Sequence, residues 1–278
     1  MLWVILIITG FGLIGILYWQ FILAEGAYLG RHAVALLYDW SAHIYDRIKG
    51  FDPTYEQWFL GLPLSRALAL LPDPLILDVA TGTARLARTL YAQPGYHGRM
   101  IGLDYSRKML TQAVRKTQAW KKQLTFLWQD ASVLPFSDHT FDAVTCLEAL
   151  EFMPDPDQVL QEMLRVLRPG GILMITNRIG KDARWLPGRT YPTTDFESKL
   201  HAYALEMVRT QPWQVDYDLI WAVKTGISTP PALHSLANII RCPLCQQAMY
   251  IQANTYQCIN GHTANIALDG IIELANIC

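Results

Sequence analysis

Three patterns of apolar and polar positions follow one another along the chain. Residues 1–23 (MLWVILIITGFGLIGILYWQFIL) form an unbroken apolar run, and Glu25 is the first charged residue. Wound as a helix at 1.5 Å per residue, the run reaches about 34 Å, enough for a hydrocarbon layer of roughly 30 Å. Trp3, Tyr18 and Trp19 fall near its ends, where aromatic rings favour the membrane interface. From about Pro72 to Gly226, short apolar runs alternate with amphipathic stretches, the pattern of βαβ units around a mostly parallel sheet. Strands are predicted at 75–79, 100–103, 125–128, 143–147 and 172–176, with a closing pair near 213–217 and 219–224. Helices are predicted at 84–91, 106–120 and 156–167, the last stopped by Pro169-Gly170-Gly171. After Pro230-Pro231 paired cysteines replace the periodicity.

The apolar run is read as a retained anchor. A cleaved signal peptide wants a basic start and an apolar core of about 7–15 residues, whereas this run has no basic start and a longer core. Arg31, Arg47 and Lys49 follow it and nothing basic precedes it. The positive-inside bias then predicts a single-pass protein of the cell membrane with its bulk on the cytoplasmic side. Hydrophobic residues make up 51% of the 278 positions and charged ones 17%, which excludes a disordered chain. With 23 Lys plus Arg against 24 Asp plus Glu, the net charge is -1, so the whole chain shows no footprint for a polyanion.

Chemistry concentrates where the predicted strands end. The first strand runs into Asp78-Val79-Ala80-Thr81-Gly82-Thr83-Ala84, a small-residue turn that lets a ligand approach the backbone. Asp78, Asp104 and Asp130 close the first three strands, and carboxylates at adjacent carboxyl ends converge on the crevice where open α/β sheets bind ligands. An acid after the second strand suits a ribose, since an ionised carboxylate offers only acceptors to its two hydroxyls.

On these residues the chain resembles class I S-adenosylmethionine-dependent methyltransferases from about Tyr38 to Gly226. It is most similar to the group containing the ubiquinone and menaquinone ring C-methyltransferases, whose glycine motif also reads D-V-A-T-G-T. Leu134-Pro135-Phe136 with Phe141-Asp142-Ala143-Val144, the Leu164 to Gly171 segment, and Tyr38-Asp39 with Tyr45-Asp46 extend the likeness. The resemblance implies a doubly wound, Rossmann-like sheet of seven mostly parallel strands. It places S-adenosylmethionine against Asp78, Ala80, Thr81, Gly82, Thr83, Asp104, Tyr105, Asp130, Ala131 and Leu147, with Gly82 and its neighbours at the methionine moiety, Asp104 at the ribose and Asp130 with Ala131 at the adenine. Two departures from the family stand out. Ala80 and Ala84 replace glycines common in relatives, the second expected to add a methyl near the cofactor, and Glu151 stands where many relatives have histidine.

Transfer from a sulfonium is an in-line displacement, so positioning and exclusion of water do most of what is needed. A phenol or acidic ring carbon would gain from a general base. Glu148 and Glu151, three apart beyond a strand end, are the candidates; the alternative is a solvated Glu151 and a Glu148 that caps a turn. Cys146, inside an apolar strand, reads as a buried inert thiol. Tyr38 and Tyr45 either cover the cofactor or simply pack. Residues 177–194, with Trp185 and Tyr191, are too few for a separate recognition domain.

Near the end, Cys242-Pro-Leu-Cys245 is followed after twelve residues by Cys258-Ile-Asn-Gly-His262. Two such knuckles fit a closed, structural tetrahedral Zn2+ site held by Cys242, Cys245, Cys258 and His262. The segment resembles the zinc-binding element of ribosomal RNA guanine methyltransferases, and small zinc-ribbon partners of other methyltransferases that close with a turn like Asp269-Gly270-Ile271. Gly226 to Cys278 holds one basic residue, Arg241, too few to grip phosphates. A structural or protein-contact role is expected, and terminal Cys278 is expected to be a free thiol.

The organisation expected is therefore a transmembrane helix (1–24), a methyltransferase domain (31–226), a linker (227–239) and a zinc ribbon (240–278). The activity expected is methylation of a lipophilic small molecule, a quinone precursor or lipid head group, at the membrane. The rivals are an RNA methyltransferase and a scaffold that keeps the fold without the activity.

Overall fold

The computed structural model describes residues 2–227 and 239–277; most of the expected linker, and Cys278, lie outside them. Helix α1 (Leu2–Tyr18) continues through a wider turn at Trp19–Leu23. Its window Leu6–Leu23 is long and apolar enough to cross a membrane, and only 6% of it is buried against the rest of the protein. Short helices α2 (Arg31–Ser41), α3 (Tyr45–Lys49), α4 (Pro53–Glu56) and α5 (Leu62–Ala67) lead into the sheet. Asp52 starts α4 by accepting from the amides of Thr54 and Tyr55, the usual way to satisfy donors that a helix start leaves free.

Strands β1 (Leu75–Val79), β2 (Arg99–Asp104), β3 (Leu124–Trp128), β4 (Phe141–Cys146) and β5 (Leu167–Arg178) alternate with α6 (Arg85–Tyr91), α7 (Arg107–Lys116) and α8 (Pro156–Val166). Helices α9 (Gly180–Ala183) and α10 (Thr193–Ala202) then lead to β6 (Leu205–Trp213) and β7 (Tyr217–Lys224). All five residues of β1 are buried, as expected of a parallel strand covered on both faces. Leu77 and Val79 join the core on one face with Met163 of α8, while Ile76 joins the other with Leu90 of α6 and Leu110 of α7. Hydrophobic burial on both faces fixes the register, because a one-residue slip would exchange the two cores.

The C-terminal segment forms a small antiparallel sheet of β8 (Met249–Gln252), β9 (Thr255–Cys258) and β10 (Thr263–Asn265), then sends β11 (Ile272–Glu273) back to the large one. The large sheet therefore has eight strands, in the order β11-β3-β2-β1-β4-β5-β7-β6, one more than the seven expected. Strand β11 pairs parallel with β3 through Ile272–Leu127 and Glu273–Trp128. Arg107 of α7 secures the join through Asp269 and Glu273, each at 3.0 Å, and Ile271 and Leu274 are fully buried beside it. The edge of β3 is thus covered from within the chain, which removes an exposed row of unpaired backbone groups.

Two boundaries differ from expectation. The stretch 213–217 is largely a turn, and β6 lies earlier because it is an edge strand whose side chains are mostly exposed, so no apolar alternation marks it. Pro169-Gly170-Gly171 does not follow the helix as a stop; α8 ends at Val166 and β5 begins at Leu167, running through the Pro-Gly-Gly.

Asp142 ties three of the central strands. Its Oδ2 accepts from the Leu75 amide at 2.7 Å, and its Oδ1 meets Arg168 Nε at 2.6 Å. Removing one partner of a buried pair strands the other charge. Asp142→Ala is expected to destabilise the domain by about 3 kcal/mol in denaturant unfolding.

Candidate functional site

The turn after β1 carries three residues in the left-handed region, Ala80 (φ 54°), Gly82 (φ 54°) and Ala84 (φ 61°). A left-handed alanine costs about 1–2 kcal/mol, so the turn must be held by its surroundings. Asp78 supplies much of that hold: it accepts from Thr81 Oγ1 at 2.7 Å and from Thr145 Oγ1 at 2.6 Å. Burial raises its carboxyl to about 6. The Thr81 amide donates to Leu103 on β2, and Thr83 Oγ1 donates to Asp46 of α3. Asp78, Thr81 and Thr83 therefore shape the turn from behind, while Ala80 and Gly82 face the crevice. The Ala84 methyl lies in the core with Leu86 and Leu90 rather than near the cofactor as expected.

Ala80 and Gly82 line a cavity that opens to solvent. A Cβ added at Gly82 would meet no protein atom within 4 Å; it would stand in the space offered to a ligand. Asp104, Tyr105, Asp130, Ala131 and Leu147 line the same cavity. Asp104 is held by the Gly82 amide at 2.8 Å and the Ser106 amide at 2.7 Å. One oxygen bond to each leaves acceptor capacity on both oxygens for a diol. Asp130 accepts from the Ser132 amide and is also paired with Arg31 of α2, whose guanidinium lies over the Tyr105 ring. These groups fit a nucleoside-bearing cofactor.

Helix α2 roofs the cavity with Val34, Ala35 and Tyr38, and Tyr45 of α3 completes the cover. Asp39 fastens this roof by accepting from Ser106 Oγ at 2.5 Å and from the Lys108 amide at 3.0 Å.

The two candidate bases separate. Glu148 lines the cavity, but its carboxylate is clamped by Arg85 Nη1 at 2.5 Å, Trp213 Nε1 at 3.2 Å and Lys49 Nζ at 3.4 Å. Burial would raise it, yet Arg85 and Lys49 outweigh that and hold it below the usual range. Glu151 is buried behind Phe152, where Tyr217 donates to it at 2.7 Å, and burial raises its carboxyl. Glu148 is thus a fixed charge at the cavity wall, and Glu151 the more basic group one layer back. Arg85 was not singled out from the sequence. It is held at 2.6 Å by Glu56 of α4 as well as by Glu148 and lies over Phe51, partners scattered too widely for a motif. Cys146 is buried, and burial pushes its thiol well up, which suits an inert role.

In the ribbon, the ligand atoms of Cys242, Cys245, Cys258 and His262 all lie within 4.8 Å of one another. Cys245 Sγ is 3.7 Å from Cys258 Sγ, and His262 Nδ1 is 3.5 Å from Cys242 Sγ and 3.4 Å from Cys258 Sγ. A tetrahedron with Zn–S bonds of about 2.3 Å has edges near 3.8 Å, so this donor set fits one zinc ion with no position left open.

Residues 77–175 match the methyltransferase domain family. The demethylmenaquinone methyltransferase of Bacillus cereus is 41% identical over 107 residues, 38% of this chain. That alignment spans 45% of the Bacillus protein, under half its length. Among solved structures, a chain from the complex between the Haloferax volcanii Trm112 methyltransferase activator and a methyltransferase is 23% identical with a TM-score of 0.53, covering 68% of this chain and 98% of its own. An S-adenosylmethionine-dependent methyltransferase from Aquifex aeolicus is 21% identical with a TM-score of 0.51, covering 63% of this chain and 94% of its own. These two speak to fold.

Burial raises Asp104 to about 6 against the pull of its two amide donors, and only the ionised form offers acceptors alone to a diol. Cofactor affinity by calorimetry is expected to weaken as pH falls through about 6. Asp104→Asn is expected to bind roughly tenfold more weakly at pH 8 and to lose most of that pH dependence. Stability moves the other way: an acid with a raised folded value binds more protons folded than unfolded, so its contribution falls as pH rises from about 4 to about 6. Chelation of zinc is expected to lower the melting temperature of the whole chain and to expose β3 amides to hydrogen exchange, because β11 leaves with the ribbon. Residues 77–175, which match the methyltransferase domain family, thus lie within a Rossmann-like, mostly parallel sheet whose fold is similar to that of S-adenosylmethionine-dependent methyltransferases.

Proposed function

We propose that the protein is a membrane-anchored S-adenosylmethionine-dependent methyltransferase acting on a lipophilic small molecule, a quinone precursor or a lipid head group. One observation carries the membrane half of this reading. At the foot of the apolar helix, Ala24 and Ala27 pack with Phe152 and Leu186, joined by Trp19 and Tyr28, and Phe152 lines the cofactor cavity. Trp19 Nε1 donates to the Trp185 carbonyl at 3.0 Å, and Tyr28 OH to the Pro187 carbonyl at 2.8 Å. The helix is therefore built onto the loop after β5 that borders the site rather than tethered by a free linker. The similarity to a Bacillus demethylmenaquinone methyltransferase favours a quinone among lipophilic acceptors. Arg31, Arg47 and Lys49 beyond the helix favour the cytoplasmic side.

The cofactor supplies a methyl group on a cationic sulfur. Asp104 would hold the ribose hydroxyls, Asp130 and Ala131 the adenine, and Ala80 with Gly82 the methionine end. Tyr38, Tyr45 and Phe152 keep water from the reacting atoms. Glu148, held ionised, complements the positive charge of the bound cofactor. Glu151 is the group to which an acidic acceptor would lose its proton, through Tyr217 or a water.

The zinc ribbon is read as an internal brace, with β11 on the β3 edge as the supporting observation. RNA recognition is disfavoured because, apart from histidines, the ribbon offers only Arg241 as a basic residue. Contact with a further protein through its outer face remains part of the proposal.

The experiment is incubation of the solubilised protein with radiolabelled S-adenosylmethionine and separate lipid, RNA and protein extracts. Label is expected in the organic phase; label in RNA would overturn the reading, and no label with no cofactor binding would favour the scaffold.

A further inference from the structure

The roof over the cavity has a second face. On α2, Val34, Ala35 and Tyr38 turn inward to the cavity, while Leu36 and Trp40, one turn apart, are 70% and 80% exposed. Leu29, just ahead of the helix, is 52% exposed as well. A helix apolar on both sides needs a second apolar neighbour, and no element of the described residues supplies one on this side.

The charges around this face are sorted. Its exposed ionisable groups are His32, His43 and Arg47, while Arg31 pairs inward with Asp130 at the cavity. The acids of the same segment are engaged inward: Asp39 with Ser106 and Lys108, Asp46 with Arg88 and Lys116, and Glu25 with Tyr38. The position of α2 is constrained as well. Only seven residues separate Leu23, the end of the apolar helix, from Arg31. Within them Ala24 and Ala27 are buried against the domain, so the link cannot extend.

We propose that the outward face of α2, with Leu36 and Trp40 at its centre, lies in the interface of the bilayer that holds the N-terminal helix, making the roof of the cavity an interfacial helix on an anionic membrane surface. This rests on the membrane-anchored reading above. Its consequence is a short path: one helix diameter, about 10–12 Å, separates the bilayer from the cavity. A lipophilic acceptor then reaches the site from the membrane at the margin of α2, without crossing water. The occupant is the bilayer because the exposed apolar side chains follow directly on an apolar helix and the exposed ionisable groups of α2 and α3 beside them, His32, His43 and Arg47, are basic, the arrangement that binds anionic lipid surfaces.

The test uses full-length protein in nanodiscs of phosphatidylcholine and phosphatidylglycerol, with and without brominated acyl chains. The emission of Trp40, taken as the difference between wild type and Trp40→Phe, is expected to be quenched at least about twofold by the brominated lipid. Leu36→Asp with Trp40 retained is expected to reduce that quenching without changing cofactor affinity, and it serves where Trp40→Phe fails to fold. Unquenched Trp40 emission, or a concentration-dependent dimer that shields Trp40, overturns the proposal. Carbonate extraction separates the two readings. Protein released from the membrane defeats both, whereas protein retained with Trp40 unquenched defeats the interfacial roof and leaves the anchor standing.

Discussion

The crevice exists because the sheet reverses its order at β1. Strand β2 lies on one side of it and β4 on the other, so the connections leaving their carboxyl ends diverge, and a gap opens that neither fills. Everything chemical is placed around that gap. Asp104 arrives from β2, Asp130 from beyond β3, Leu147 and Glu148 from beyond β4, and Ala80 and Gly82 from β1 itself. The strained turn is tolerable only because Asp78 reaches both Thr81 within it and Thr145 on β4, bracing the turn across the gap.

The gap is closed by groups remote in sequence. Arg85, at the start of α6, binds Glu148 beside the cavity and Glu56 of α4, so the N-terminal helices are pinned to the site by a buried ion network. Such a network adds little to stability against an apolar alternative, and its value lies in fixing one arrangement, since breaking it leaves a charge stranded. It also decides the state of Glu148: the carboxylate that faces the cavity is the one least able to accept a proton, and the more basic Glu151 sits a layer behind.

The two ends of the chain meet the domain at opposite margins of this site. The N-terminal helix docks on the loop after β5 through Trp19 and Tyr28. The zinc ribbon extends the β3 edge, and Leu244 and Leu274 border a groove shared with Asp130. Strand β11 carries this segment into the large sheet, beside the strand that leads to Asp130. The expected division into domain, linker and ribbon therefore understates their union, because one strand of the C-terminal segment belongs to the large sheet.

The sequence by itself determined what is local. The strand at 75–79, the turn from Ala80 to Ala84, the acids at successive strand ends, the apolar run and the two zinc knuckles are each written in contiguous residues, where periodicity, small side chains and fixed spacing carry the signal. The edge strand β6 escaped because an exposed strand leaves no apolar alternation. Tertiary structure alone decided that Asp78 braces the turn against Thr145, that Ala84 faces the core, that Arg85 clamps Glu148, that Arg31 meets Asp130 and that β11 covers β3. Each joins positions far apart in the chain, and which carboxylate meets which guanidinium is settled only when packing brings their elements together, because desolvation and hydrogen bonding act through space and not along the sequence.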